Sequence, residues 1–135
     1  MFETTIQTYW ADSDAAGIAY HSHFFRFVEY AEEDLFRAAG PDRQTVIDAE
    51  QVWLPRVESF AKFSKPIKVG DAILVRLHPE LKGLKTVKLK FETLNRESLE
   101  LLAEGYVTVV CVSRSTFKGI PMPERIRRVF EEAGD

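Results

Sequence analysis

The order of periodicities in this chain predicts an α+β fold, with one long helix laid against a curled antiparallel sheet. Three observations carry that reading. From Ser22 onward the apolar residues Phe24, Phe27, Val28, Ala31, Leu35 and Ala38 recur at mostly three- and four-residue steps, marking one face of a helix. From Gln51 to Val112 the pattern is that of strands, separated by short turns rather than by crossover helices. A single strand-like run precedes the helix. Strands joined by short turns pair antiparallel, and a long amphipathic helix must bury its stripe on the sheet they form.

Each element has its own signal. Residues 3–10 (ETTIQTYW) are rich in Thr, Ile, Tyr and Trp and read as a first strand, broken by the small and acidic residues 11–17. The helix stops at Gly40-Pro41, where Gly suits a left-handed cap and Pro cannot continue the helix. On that helix Glu29, Glu32, Glu33 and Arg37 are expected mostly on the solvent side. Residues 41–50 read as a connection with one short helical turn. Gln51 to Phe63 reads as a strand that Pro55 makes an edge or a bulged one. Ala72 to His78 reads as a strand ended by Pro79, and Lys82-Gly83 as a turn. Thr86 to Thr93 alternates cleanly, with Val87, Leu89 and Phe91 against Lys88, Lys90 and Glu92. Asn95-Arg96-Glu97 turns the chain into Leu99 to Val112, a long run apolar on both faces and so expected to be central in the sheet. A last helix is expected from Pro123 to Glu132, with Pro at a start position that tolerates it.

Composition bounds the function. A chain of 135 residues builds one hydrophobic core, and 45% hydrophobic with 29% charged residues is ordinary for a globular domain. The net charge of −3 offers no general attraction to nucleic acid or to anionic lipid, so neither is an expected partner. A lone cysteine, Cys111, excludes an internal disulfide and a Cys-based zinc site, and its apolar run VTVVCV suits a buried thiol. The N-terminus lacks a secretory pattern and no apolar run approaches spanning length, so a cytoplasmic location is expected.

Chemistry concentrates in residues 10–40. Asp12-Ser13-Asp14 runs through Ala15-Ala16-Gly17 and Ile18-Ala19-Tyr20 into His21-Ser22-His23 at the mouth of the helix. Two carboxylates, two imidazoles and a helix N-terminus thus fall within a dozen residues. Helix N-terminal amides lack intrahelical partners and carry partial positive charge, so they suit a developing oxyanion. A carboxylate beside them can act as a general base or as a nucleophile. Asp14 can equally cap a turn, and Asp12 is expected to hydrogen-bond within the loop. His21-x-His23 also admits a metal reading, but two histidines with loose carboxylates do not complete a site. His78, beside Pro79, reads as surface.

The stretch Tyr9-x-x-Asp12-Ser13-Asp14-Ala15-Ala16-Gly17-Ile18-Ala19-Tyr20-His21, then Phe24 and the helix ending at Gly40, resembles the hotdog-fold acyl-CoA thioesterases of the 4-hydroxybenzoyl-CoA thioesterase type. The resemblance continues to Gly119-Ile120-Pro121 and covers essentially the whole chain, implying a single hotdog domain over residues 1–135. It implies that Asp14 is the catalytic carboxylate and that the backbone amide of His21 polarises the thioester carbonyl. It implies a homodimer or homotetramer with active sites at the subunit interface, no metal, and no cofactor beyond the CoA of the substrate. Gly17, Tyr20, His23, Phe24 and Glu33 are the expected substrate pocket, with Phe60 or Phe63 as further apolar lining. Lys85, Arg114 and Lys118, in or beside β turns, are the expected ligands of the CoA phosphates. Two positions depart from the family pattern: its frequent Asn is His23 here, and its common mid-helix Arg is Glu32 or Glu33. These bear on the acyl group more than on the reaction. An aromatic acyl group (hydroxybenzoyl or dihydroxynaphthoyl) and short or medium aliphatic chains stay open. So do a non-catalytic module binding acyl-CoA or protein and, with less support after His21, a hotdog dehydratase.

Overall fold

The structure is a computed structural model that describes residues 1–17 and 21–134. Five strands form one antiparallel sheet in the order β1-β4-β5-β6-β3: β1 (Phe2–Gln7), β4 (Ala72–Lys82), β5 (Thr86–Asn95), β6 (Leu101–Val110) and β3 (Arg56–Phe63). The helix α1 (His23–Ala39) buries Phe24, Phe27, Val28, Ala31, Leu35 and Phe36 in a core shared with Val87, Leu89, Phe91 and Val107 of the sheet. The alternation of β5 thus places its apolar residues toward the helix and Lys88 and Lys90 on the outer face. A short helix, α3 (Glu124–Ala133), closes the core from the β4 side, with Phe130 set edge-on to Phe36 at 5.6 Å. The α+β hotdog architecture predicted from sequence is the one observed.

Several element boundaries differ from the expectation, each for a physical reason. Residues 41–50 hold more than one turn: α2 (Arg43–Glu50) starts at Asp42, whose carboxylate takes the Thr45 amide and hydroxyl, at 3.3 and 2.6 Å. Pro55 splits the next stretch into β2 (Val52–Trp53) and β3, with a register shift between Arg56 and Glu58, and β3 is an edge strand as Pro55 suggested. β2 pairs instead with β7 (Val112–Ser113). Pro79 does not end β4. The pairing of β1 with β4 stops at the Phe2–Leu77 pair, so β4 is locally an edge at Pro79 and tolerates a residue with no N–H. Leu99 belongs to the turn before β6, at φ 60°, rather than to the strand. β6 itself lies between β5 and β3, paired on both sides but one strand from the edge, while β5 takes the centre that was expected of β6. Gly105 is required in β6, since a β-carbon would overlap the Phe60 carbonyl oxygen of β3. Among the described residues no helix is long and apolar enough to cross a membrane.

Candidate active site

The described part of the loop after β1 is folded largely on short-range hydrogen bonds. A 3₁₀ turn (Trp10–Asp12) is closed by the Tyr9 amide donating to Asp12 Oδ2 at 2.8 Å, and Ser13 Oγ donates to the Trp10 carbonyl at 2.7 Å. Asp14 Oδ1 accepts the Ala16 amide at 2.8 Å, the turn-forming role open to any Asp in a loop. Among the described residues the hydrogen bond of the Asp14 carboxylate is made through Oδ1. Gly17 takes φ 78°, a left-handed conformation that glycine adopts without penalty, and its carbonyl accepts the Val69 amide at 3.1 Å. Residues 18–20 lie outside the described residues, and the expected pocket residue Tyr20 with them.

Past that segment, His21 and Ser22 lead directly into α1. Ser22 makes no side-chain cap, and the Phe24 amide donates to the His21 carbonyl at 3.3 Å. Asp14 and His21 line one cavity of about 390 Å³ together with Phe24, Phe63, Ser64, Lys65 and Pro66. The Phe24 and Phe63 rings meet edge-on, 4.9 Å between centroids, and the His21 ring lies 6.3 Å from Phe63. One wall is therefore aromatic, the other carries a carboxylate beside the positive end of a helix. That combination fits a thioester carbonyl on one side and an apolar acyl group on the other. A larger groove of about 550 Å³ between the end of α1, α2 and α3 shares none of these residues.

The structure brings Asp14, His21 and Phe24 together at this cavity, with Gly17 in the turn beside Asp14. His23 does not line it; its Nδ1 faces Asp12 Oδ1 at 3.3 Å. Phe63 lines it, whereas Phe60 stacks on Tyr106 on the outer face of the sheet, 5.6 Å between centroids. Glu33 is partly exposed, 3.9 Å from Arg43, and stands away from the cavity lining. Glu32, expected at the surface, is fully buried on the core side of α1, ion-paired with Arg43 (3.0 Å) and with Arg56. Its position on the 28–32–35 stripe was the sequence signal; the arginines that make burial possible come from α2 and β3. Arg114 is already engaged, with Asp48 at 2.8 Å and its guanidinium 3.9 Å from the Trp53 ring centroid. Lys85 and Lys118 are exposed, Lys85 beside Gly119. His78 lies at the surface as expected, paired there with Glu92 at 3.1 Å. Sequence reasoning missed Ser64, Lys65 and Pro66, which reach the cavity only because β3 ends beside the motif loop; Lys65 is held there by an ion pair with Glu100.

Comparison with known proteins agrees with the fold. Residues 8–130 match the thioesterase-like superfamily, and the chain belongs to that family. It is 23% identical to the acyl-CoA thioesterase YbgC of Haemophilus influenzae over 129 residues, covering 96% of this chain and 93% of that protein. It is 29% identical to a 1,4-dihydroxy-2-naphthoyl-CoA hydrolase of Synechocystis over 118 residues, covering 87% and 86%. The crystal structure of a 1,4-dihydroxy-2-naphthoyl-CoA thioesterase from Synechocystis superposes with a TM-score of 0.90 at 27% identity, covering 97% and 96%. Fold and family define the class: a thioester hydrolase built on the hotdog scaffold.

Proposed function

We propose that this protein is an acyl-CoA thioesterase, releasing a carboxylic acid and free CoA, with Asp14 and the His21 backbone amide as its reacting groups. The observation that carries the proposal is the shared cavity of Asp14 and His21 at the start of α1, faced by the Phe24–Phe63 pair. Water attacks the thioester carbonyl as Asp14 takes its proton, the oxyanion forms against the amide, and collapse expels the CoA thiolate. On the alternative route Asp14 attacks the carbonyl directly and expels the CoA thiolate, and water then cleaves the mixed anhydride to the carboxylic acid and the free Asp14 carboxylate. Neither route draws on a cofactor beyond the substrate's own CoA.

An aromatic acyl group is supported by the aromatic wall and by the names of the relatives; aliphatic chains make the comparison arm. Lys85 and Lys118 are the cations proposed to meet the CoA phosphates, since Arg114 is committed to Asp48. A second copy of the chain is the proposed partner. The edge strand β3 leaves Val57, Phe60 and Phe63 about half exposed or more, an apolar edge that a homodimer would cover. The test is thiol release from a panel of aromatic and aliphatic acyl-CoAs. Turnover with an aromatic preference is expected; tight binding without thiol release from any of them would refute the reading.

A further inference from the structure

We infer that Asp12 and His23 form a positioning pair that fixes the spacing between the Asp14 carboxylate and the His21 amide. The inference rests on the proposed thioesterase chemistry and adds two side chains to it. Asp12 stands just before Asp14 in the loop, and His23 just after His21 at the first position of α1. Their approach, Nδ1 to Oδ1 at 3.3 Å and short of hydrogen-bond alignment, brackets the segment that carries both reacting groups, and a small turn of the ring would complete the bond.

Each partner is also held from a second side. Asp12 Oδ2 takes the Tyr9 amide at 2.8 Å, anchoring the carboxylate to the end of the first strand's extension. The His23 ring stands edge-on to Phe27, 6.5 Å between centroids and 89° between planes, anchoring the imidazole to the buried face of α1. With side-chain exposures of 13% for Asp12 and 17% for His23, the pair is largely sheltered from water. Gly17 to Val69 is a further anchor of the loop, at its far end. Loss of the near anchor lets the carboxylate drift relative to the helix terminus, and reactions of this kind are sensitive to misplacements of an ångström.

Two substitutions of similar size separate this role from mere packing. His23→Asn puts an amide donor close to the position of Nδ1, so it can still reach Asp12. His23→Gln puts its donor near the position of Nε2 and cannot. For His23→Gln, kcat for thiol release is expected to fall about tenfold to a hundredfold with KM within about twofold, while His23→Asn stays within about threefold of wild type. Asp12→Ala combined with His23→Gln should lose no more than the worse single variant. A purely structural role would lower Tm without separating Asn from Gln in kcat. Equal kcat for the two variants, or additive losses in the double variant, overturns the pair. Asp14→Asn run alongside distinguishes the failures. If it is inactive while His23→Gln is fully active, the pair alone is wrong; if it is active, the assignment of Asp14 falls and the pair's role falls with it.

Discussion

Replacing Glu32 by Ala removes a fully buried carboxylate that Arg43 of α2 and Arg56 of β3 share. The arginines do not lose everything. Arg43 keeps Glu29 at 2.8 Å, and Arg56 keeps the Leu54 carbonyl at 3.0 Å. Both are partly reachable by water, with side-chain exposures of 16% and 27%. Removing one partner of a buried ion pair typically costs 3–5 kcal/mol, and these residual contacts argue for the low end, about 3 kcal/mol or roughly 10 °C in Tm. Glu32→Gln keeps the shape and an acceptor but loses the charge, so a cost of about 1–2 kcal/mol is expected. Urea unfolding at fixed protein concentration measures both, since any coupling to assembly would make stability concentration-dependent. A Glu32→Ala cost under about 1 kcal/mol, the range of ordinary surface changes, would refute the view of this network as a structural tie between α1, α2 and β3.

Three further outcomes follow from the same geometry. Gly105→Ala must push β3 off β6 to clear the Phe60 carbonyl, costing about 1–3 kcal/mol and weakening any assembly through β3; unchanged unfolding and unchanged size-exclusion behaviour would contradict it. Cys111 is buried and its burial pushes the thiol up, so it should resist a disulfide-forming thiol reagent until the protein unfolds, and rapid labelling of the native protein would contradict the core assignment. Lys82, then Lys90, hold the Glu80 carboxyl down at about 2 from 4.5. A depressed carboxylate stabilises above its unfolded value and loses that contribution as pH falls from 4.5 toward 2, so the stability gap between wild type and Glu80→Gln should close across that window. The gap is small because the group is exposed, and a gap independent of pH would refute the pairing.

Most of the fold was legible because it rests on period. The 3.6-residue stripe from Phe24 to Leu35 and the two-residue alternation from Val87 to Phe91 each state which face is buried, and both faces meet in the core. What was illegible depends on neighbours distant in sequence. Pro79 reads as a strand end because the sequence does not show that the pairing of β1 with β4 stops opposite Leu77. α2 reads as a connection with only one helical turn because only Val46 and Ile47 are buried, and its start depends on Asp42 capping. Glu32 interrupts an apolar stripe, a signal visible in the sequence, but its meaning required Arg43 and Arg56. At the cavity, Asp14, His21 and Phe24 are local in sequence and legible there, whereas Ser64, Lys65 and Pro66 reach it by tertiary structure. His23 is a pocket residue only by the family resemblance, and its ring turns instead toward Asp12.

Whether the Asp14 carboxylate performs thioester cleavage is decided by Asp14→Asn. Asn retains the acceptor that the Ala16 amide needs, so the loop turn is preserved while the base or nucleophile is lost. With the acyl-CoA that wild type turns over best, thiol release by a folded Asp14→Asn protein should fall at least about a thousandfold, the scale seen when a reacting group is removed from a site whose other elements remain. Activity within about tenfold of wild type in that variant would contradict the account, because it would leave the reaction without the carboxylate on which the site is built.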